Sequence, residues 1–506
     1  TDVGSFGSTY TDLFWWDKAS GVQQLITHSS VAGNTDSTSL GGAYFNAIAN
    51  DSSGVVFNSA DATKFGNNDK AFTDVGSFGS TYTDLFWWDN TLGVQQLITH
   101  SSAAGNTESA ATAGASFYAI ANDSSGVVFS STNAAQFGNN GMAFVELGSA
   151  SASDLFWWDK ATGEQKLINH SSAAGNTTTV TMNSSGFSAI SADSTGVVFS
   201  NTNAAQFGND GVAFTDWVGT AVDFLWWNKA TGVQQLITHS SAAGNTTSEA
   251  LSSSTFHAIS ADSAGVVFNN ANVAQFGNNG VAFTDTGTNA NDLLWWDKAT
   301  GEQKLITHSS AVGNTASAAA NNSTYVAMLA DHSVIFSNLD ASKFGNNGNA
   351  FVDSNTSVTG ADYFLWDAST GNIRLLTASA TDPNASTGSS LGAVMVSADG
   401  NTLYASPADV SALPSLNGTA FSDGAKSVTD IVAIRLSLLD LTTSYDTGTS
   451  AYDNITSAKT FTLNGYVKPN LAVALKDNGV QVATATADVN GTAVFNLSDV
   501  SIGAHD

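Results

Sequence analysis

Asp154-Leu155-Phe156-Trp157-Trp158-Asp159 returns along the chain at an almost fixed interval. Copies begin at Asp12 and Asp84, at Asp223 as Asp223-Phe224-Leu225-Trp226-Trp227-Asn228, and at Asp292 as Asp292-Leu293-Leu294-Trp295-Trp296-Asp297. A sixth, Asp362-Tyr363-Phe364-Leu365-Trp366-Asp367, keeps one tryptophan, and Asp430-Ile431-Val432-Ala433-Ile434-Arg435 is a faded seventh. The first tryptophans step by 72, 70, 69 and 69 residues, and Trp296 to Trp366 adds 70. A period that long and regular marks a repeat architecture.

Working outward from the tryptophans, one period reads as four strands. Phe187-Ser188-Ala189-Ile190 and Gly196-Val197-Val198-Phe199 flank an aspartate-glycine turn, as a hairpin requires. A long connection containing Phe207-Gly208-Asn209-Asp210-Gly211 leads to Asp223-Phe224-Leu225-Trp226-Trp227. The turn Asn228-Lys229-Ala230-Thr231-Gly232 then leads to Val233-Gln234-Gln235-Leu236. The tryptophan strand lacks polar alternation, so both of its faces must be covered. Small residues on the first strand (Ala189, Ser191) suit a crowded axis, and Gln234 and Gln235 suit a polar rim. The expected fold is all-β, a β-propeller of four-stranded blades. Six first hairpins and seven second hairpins can be counted; seven blades are expected, with six as the rival count.

The chain has 506 residues, 42% of them hydrophobic and 10% aromatic, enough to bury a core. Only 11% are charged, against the usual quarter. The net charge is -28, from 43 acids and 15 bases, which makes nucleic acid and anionic membrane poor partners. Absence of cysteine removes disulfide and thiolate chemistry. No apolar run approaches a membrane span, and no signal sequence opens the chain. Residues 1–17 repeat unchanged as 73–89, so the sequence is expected to be part of something longer.

The strings Ala189-Ile190-Ser191-Ala192-Asp193-Ser194-Thr195-Gly196-Val197-Val198-Phe199 and Asp154-Leu155-Phe156, with Asp159, Ala161-Thr162-Gly163 and Leu167-Ile168, resemble the TolB-like propeller repeat. The resemblance covers roughly residues 1–440. Tryptophans at positions where that family usually has valine and tyrosine are a departure. The family is functionally mixed, so the resemblance implies a fold more than an activity.

The period stops near residue 440. The expected organisation is a propeller over 1–441, an acidic linker over 442–456 and a partial β-sandwich over 457–506. The last segment alternates through Leu471-Ala472-Val473-Ala474-Leu475 and turns at Asp477-Asn478-Gly479. Together with Asp446, Gly448, Ser450 and Asp453 before it, it resembles the bacterial Ig-like modules of large secreted adhesins. Those four residues offer hard oxygens on a flexible junction, the setting for calcium, and Asp440 and Asp477 could complete the shell. The resemblance points the same way.

Other repeated groups have plainer readings. The tryptophan pairs read as blade-to-blade core. His28, His100, His170, His239 and His308 sit on separate blades and read as loop anchors, since a metal needs converging ligands. Asp51, Asp123, Asp193, Asp262, Asp331 and Asp399 suit turn capping. Phe65, Phe137, Phe276 and Phe344, each followed by Gly-Asn-Asn, suit apolar plugs before left-handed turn residues.

No nucleophile elbow, zinc-protease helix or phosphate loop occurs in the sequence. The expectation is a non-enzymatic bacterial protein, extracellular or at the cell surface. It would be an adhesin fragment binding a glycan or protein on its variable loops (36–44, 108–116, 178–186, 247–255). Further Ig-like modules or copies of itself would be its other partners. A structural subunit of a surface layer or filament, and a polysaccharide-active hydrolase or lyase, are the alternatives.

Overall fold

The computed structural model describes residues 11–501, apart from two sets of segments. Within the repeats these are 38–42, 76–82, 111–114, 148–152, 181–184, 217–220, 249–253, 288–289, 319–322 and 354–359. Beyond them they are 380–381, 383, 388–389, 398–401, 408, 412, 414–420, 423–428, 437–438, 442–444, 446–455, 467–471, 478–479 and 489–491.

The fold is all-β, built from repeated four-stranded antiparallel sheets of propeller-blade type. In one of them Ser116–Ile120, Gly126–Ser131, Asp154–Asp159 and Gln165–Leu167 lie side by side in chain order. The two central strands pair from Gly126 opposite Asp159 to Ser131 opposite Asp154. Val127, Val128, Phe129, Leu155, Phe156, Trp157 and Trp158 are all buried, which explains the missing polar alternation. The same order recurs in four further sheets, whose third strands are Asp84–Asp89, Asp223–Asn228, Asp292–Asp297 and Asp362–Trp366. Phe14–Trp16 and Gln23–Leu25 form a two-stranded sheet, and Val394–Val396, Thr402–Ala405 and Val432–Arg435 a three-stranded one.

The long connection inside each repeat is itself structured. After Ser131 a 3-10 turn, Ala134–Gln136, delivers Phe137 into the core, where its ring meets Phe156 at 5.0 Å. A small hairpin follows, pairing Gly138–Asn139 with Met142–Ala143. Asn140 takes φ 48° at its tip, the left-handed geometry expected of these segments.

Adjacent residues of the tryptophan strand face opposite ways. Leu85 and Trp87 pack forward onto Phe156 and Trp158 of the next repeat, whereas Leu155 and Trp157 pack onto the repeat holding Trp227. The indole centroids lie 6.2 Å apart at both junctions. Burying one such indole contributes roughly 4–6 kcal/mol of transfer free energy. The Nε1–H groups of Trp87, Trp88, Trp157 and Trp158 have no hydrogen-bond acceptor, so these rings serve as apolar area.

The chain divides into two compact units. Thr1–Val266, with 278–281 and 298–301, makes the first, and the remaining residues make the second. In the second, Phe461–Tyr466 pairs with Thr492–Leu497 and with Leu439–Leu441, and Ala472–Asp477 pairs with Val480–Thr486. Leu475, Ala487, Ala493 and Phe495 form the small core of these strands.

Candidate functional site

At the start of each tryptophan strand an aspartate enters the core. In most repeats a threonine at the end of the fourth strand holds it. Thr99 Oγ donates to Asp84 Oδ1 (3.1 Å) and accepts from the Leu85 N–H (3.0 Å). Thr238 and Asp223 (2.9 Å), Thr307 and Asp292 (2.8 Å), and Thr377 and Asp362 (2.9 Å) repeat the contact. These clamps tie the third strand to the end of the fourth.

A second acid stands by the first in four of these repeats. Asp74 raises the pKa of Asp84, Glu146 that of Asp154, Asp285 that of Asp292 and Asp353 that of Asp362. Burial is the larger cause each time, because a carboxylate out of water loses its hydration. Asp84 and Asp292 are pushed up to about 7, Asp362 to about 6, and Asp154 to about 8.

The Asp154 repeat departs from the others in two residues. Glu146 is the one glutamate among the second acids, and Asn169 stands where the other repeats have threonine. Asn169 Nδ2 donates to Asp154 Oδ1 (3.1 Å) and to Ser185 Oγ (3.2 Å). Glu146 accepts from the Ala134 N–H (2.8 Å) and from Thr179 Oγ (3.2 Å). Asp154 is 2% exposed, and its Oδ2 lacks a donor. Glu146 adds to the upward push on Asp154, through its charge and through its side chain. Asp154 is the more deeply buried of the two, and Glu146 is half-buried. Sequence reasoning missed this pair. The available signal was an acid two residues beyond each Ala-Phe, at Asp74, Glu146, Asp216, Asp285, Asp353 and Asp423.

The repeating histidines anchor loops across repeat junctions. His100 places Nδ1 2.8 Å from Ser101 O and Nε2 2.7 Å from Gly163 O, and His170, His239 and His308 do the same. Asp123 and Asp331 cap their turns through the Ser125 and Ser333 N–H groups, whereas Asp399 lies outside the described residues. Gln234, expected at a polar rim, is buried instead. Its Oε1 accepts from the Gly208 N–H (3.2 Å), and its Nε2 donates to Ile168 O (2.8 Å) and His170 O (3.1 Å) of the preceding repeat.

Of the expected calcium ligands, Asp446, Gly448, Ser450 and Asp453 lie outside the described residues, as does much of each variable loop. Asp440 lies in the strand Leu439–Leu441 and Asp477 ends Ala472–Asp477. Among the described residues no three His, Asp or Glu side chains converge as a metal site, and no helix is long and apolar enough to cross a membrane.

No protein-family model matches the sequence, and no curated protein matches it. Solved propeller structures do match. TolB of Acinetobacter baumannii is 9% identical, with 72% of this chain and 58% of that one covered and a TM-score of 0.24. Dipeptidyl peptidase 4 of Porphyromonas gingivalis is 10% identical, with 97% and 57% covered and a TM-score of 0.37. The β-propeller domain of the Trilobed protease from Pyrococcus furiosus is 8% identical, with 91% and 99% covered and a TM-score of 0.30. Prolyl endopeptidases, acylaminoacyl peptidases and an oligogalacturonate lyase also match. The chain spans about half to three-fifths of the length of TolB and the full-length peptidases. The propeller-type sheets described above are what the chain has in common with these structures, and such low identity shows nothing further.

The expectation of a non-enzymatic adhesin is corrected by the same set, in which peptidases predominate and a lyase is present. Its non-enzymatic part rested on an absence of linear motifs, and its adhesin part on the resemblance of the tail.

Proposed function

We propose that this chain is the propeller of a polysaccharide-cleaving enzyme, a hydrolase or lyase, with Glu146 and Asp154 as its acid–base pair. The observation that carries the reading is the pairing of the buried Asp154, its pKa pushed up to about 8 by burial and by its neighbour, with the less buried Glu146. Cleaving a glycosidic bond needs a proton delivered to the departing oxygen, and a carboxyl held neutral by burial is such a source. Glu146 would meet the substrate and pass on to the departing oxygen the proton it takes from Asp154, and the water that attacks the sugar would give up a proton that restores the pair.

Two further features favour sugars over peptides. The repeating histidines have both ring nitrogens against backbone carbonyls, so none of them is available to activate a serine. Tyr44 and Phe45 on one first strand are exposed, and such rings offer faces on which sugars stack.

The test is turnover of a panel of neutral and acidic polysaccharides, followed by reducing-end release and by ultraviolet absorbance of unsaturated products. Glu146→Gln should lower kcat at least about a hundredfold, as loss of general acid–base catalysis does. Asp74→Asn, in a repeat that keeps threonine, should leave it within about threefold, as a distant site would. Turnover that survives Glu146→Gln, or no turnover on any member of the panel, rejects the reading.

A further inference from the structure

Each repeat has a forward apolar face and a rear one, and junctions within the chain bring a forward face against a rear face. The rear face of one tryptophan strand consists of Phe86 and Trp88, both fully buried, with Trp15 of the preceding repeat 6.0 Å from Trp88. Phe156 with Trp158, and Leu225 with Trp227, occupy the same place in their repeats and are equally buried. The first sheet breaks this pattern. Its forward side chains Leu13 and Trp15 pack on the next repeat, but the rear residues Phe14 and Trp16 are 62% and 59% exposed.

The last sheet breaks it in the opposite sense. Val394, Val396, Leu403, Val432 and Ile434 pack with Ile335 and Leu365 of the preceding repeat, so their face is the rear one. The forward face is uncovered. Met395 lies opposite Tyr404, which lies opposite Ala433, and the row ends at Ile431, which is 82% exposed. The two uncovered surfaces are thus of opposite type, one lacking a forward face and the other lacking a rear face.

We propose that a second copy of this chain covers them. The Phe14–Trp16 face of one copy would receive the Met395–Tyr404–Ile431 face of another, continuing the junction already present between repeats. An association between two different surfaces is heterologous, so it leaves one free end of each type and extends as an open series or a ring. Exposed contiguous apolar area of this kind is unusual on a monomer. The proposal is independent of the catalytic reading.

Sedimentation velocity of the full chain tests it. Trp16→Asp and Ile431→Asp each place a charge on an exposed position, so the fold should survive, which circular dichroism checks. The wild-type chain should form oligomers that grow with concentration, and each variant alone should remain monomeric. An equimolar mixture of the two should give dimers and nothing larger, because each variant keeps the one face that the other has lost. A wild-type chain that stays monomeric across the accessible range overturns the proposal. So does a variant that associates as the wild type does, or a mixture that gives no dimer.

Discussion

His100 and Gly163 belong to different repeats, yet the Nε2 of one lies 2.7 Å from the carbonyl oxygen of the other. Asn106 Nδ2 donates to the same oxygen at 2.9 Å. Two side chains from the end of one blade thus fix the Thr-Gly turn of the next. His100→Ala should therefore destabilise the protein by about 1–3 kcal/mol, the range for losing a buried hydrogen-bond partner. Chemical denaturation checks this, and His100→Gln should recover part of the loss if a donor at that position is what matters.

Truncating a junction indole should cost more. Trp158 is fully buried and packs on Trp87, so Trp158→Ala removes apolar area and leaves a cavity. A loss of about 3–5 kcal/mol is expected from thermal or urea unfolding. Trp158→Phe should cost less, since the indole N–H has no partner to lose.

The buried acids give an unusual dependence on pH. Asp84, Asp154, Asp292 and Asp362 have folded-state pKa values raised from 3.8 to about 7, 8, 7 and 6. Their contribution is present in full below the unfolded value and is lost as pH rises through the folded ones. The repeating histidines act in the opposite sense: burial holds them below 6.5, so what they contribute is present above 6.5 and falls as pH drops through that value. Between pH 8 and 6.5 the aspartates dominate, and Tm should rise as the solution is acidified. Asp154→Asn should flatten that rise, and a Tm that falls over this interval would refute the assignment.

Gly138 and Gly141 bracket one small hairpin but differ in the space available. At Gly138, φ is +150° and a Cβ would stand 2.1 Å from the Met142 carbonyl oxygen, a backbone atom that cannot turn aside. At Gly141, φ is +89° and nothing lies within 4 Å. Gly141→Ala should cost about 1 kcal/mol through backbone strain alone, and Gly138→Ala clearly more, as unfolding midpoints can show.

The blade was legible in the sequence because its signals are local. The aspartate-glycine turns, the Thr-Gly turns and the unbroken apolar strand each report on neighbouring residues. What escaped notice depends on contacts that only the fold makes. Gln234 looked like a rim residue, because nothing near it in sequence shows that Ile168 and His170 supply its acceptors. Lys160 looked like a turn residue, but its Nζ lies 4.7 Å from the Trp87 ring centre of the repeat before. Glu146 and Asp154 were visible singly, but their pairing was not. The sheet partner of Leu439–Leu441 was equally hidden, since pairing with the tail strand Phe461–Tyr466 closes a long loop.

The glutamine bridges have a consequence for how such a chain can change in length. Gln95, Gln165 and Gln234 each join only adjoining copies, through the same two carbonyls and the same glycine N–H. Duplicating or excising one whole period would recreate every joint from parts already present, with no new chemistry required. Gene-level slippage in multiples of this period should therefore yield foldable offspring, while shorter insertions inside a joint should not.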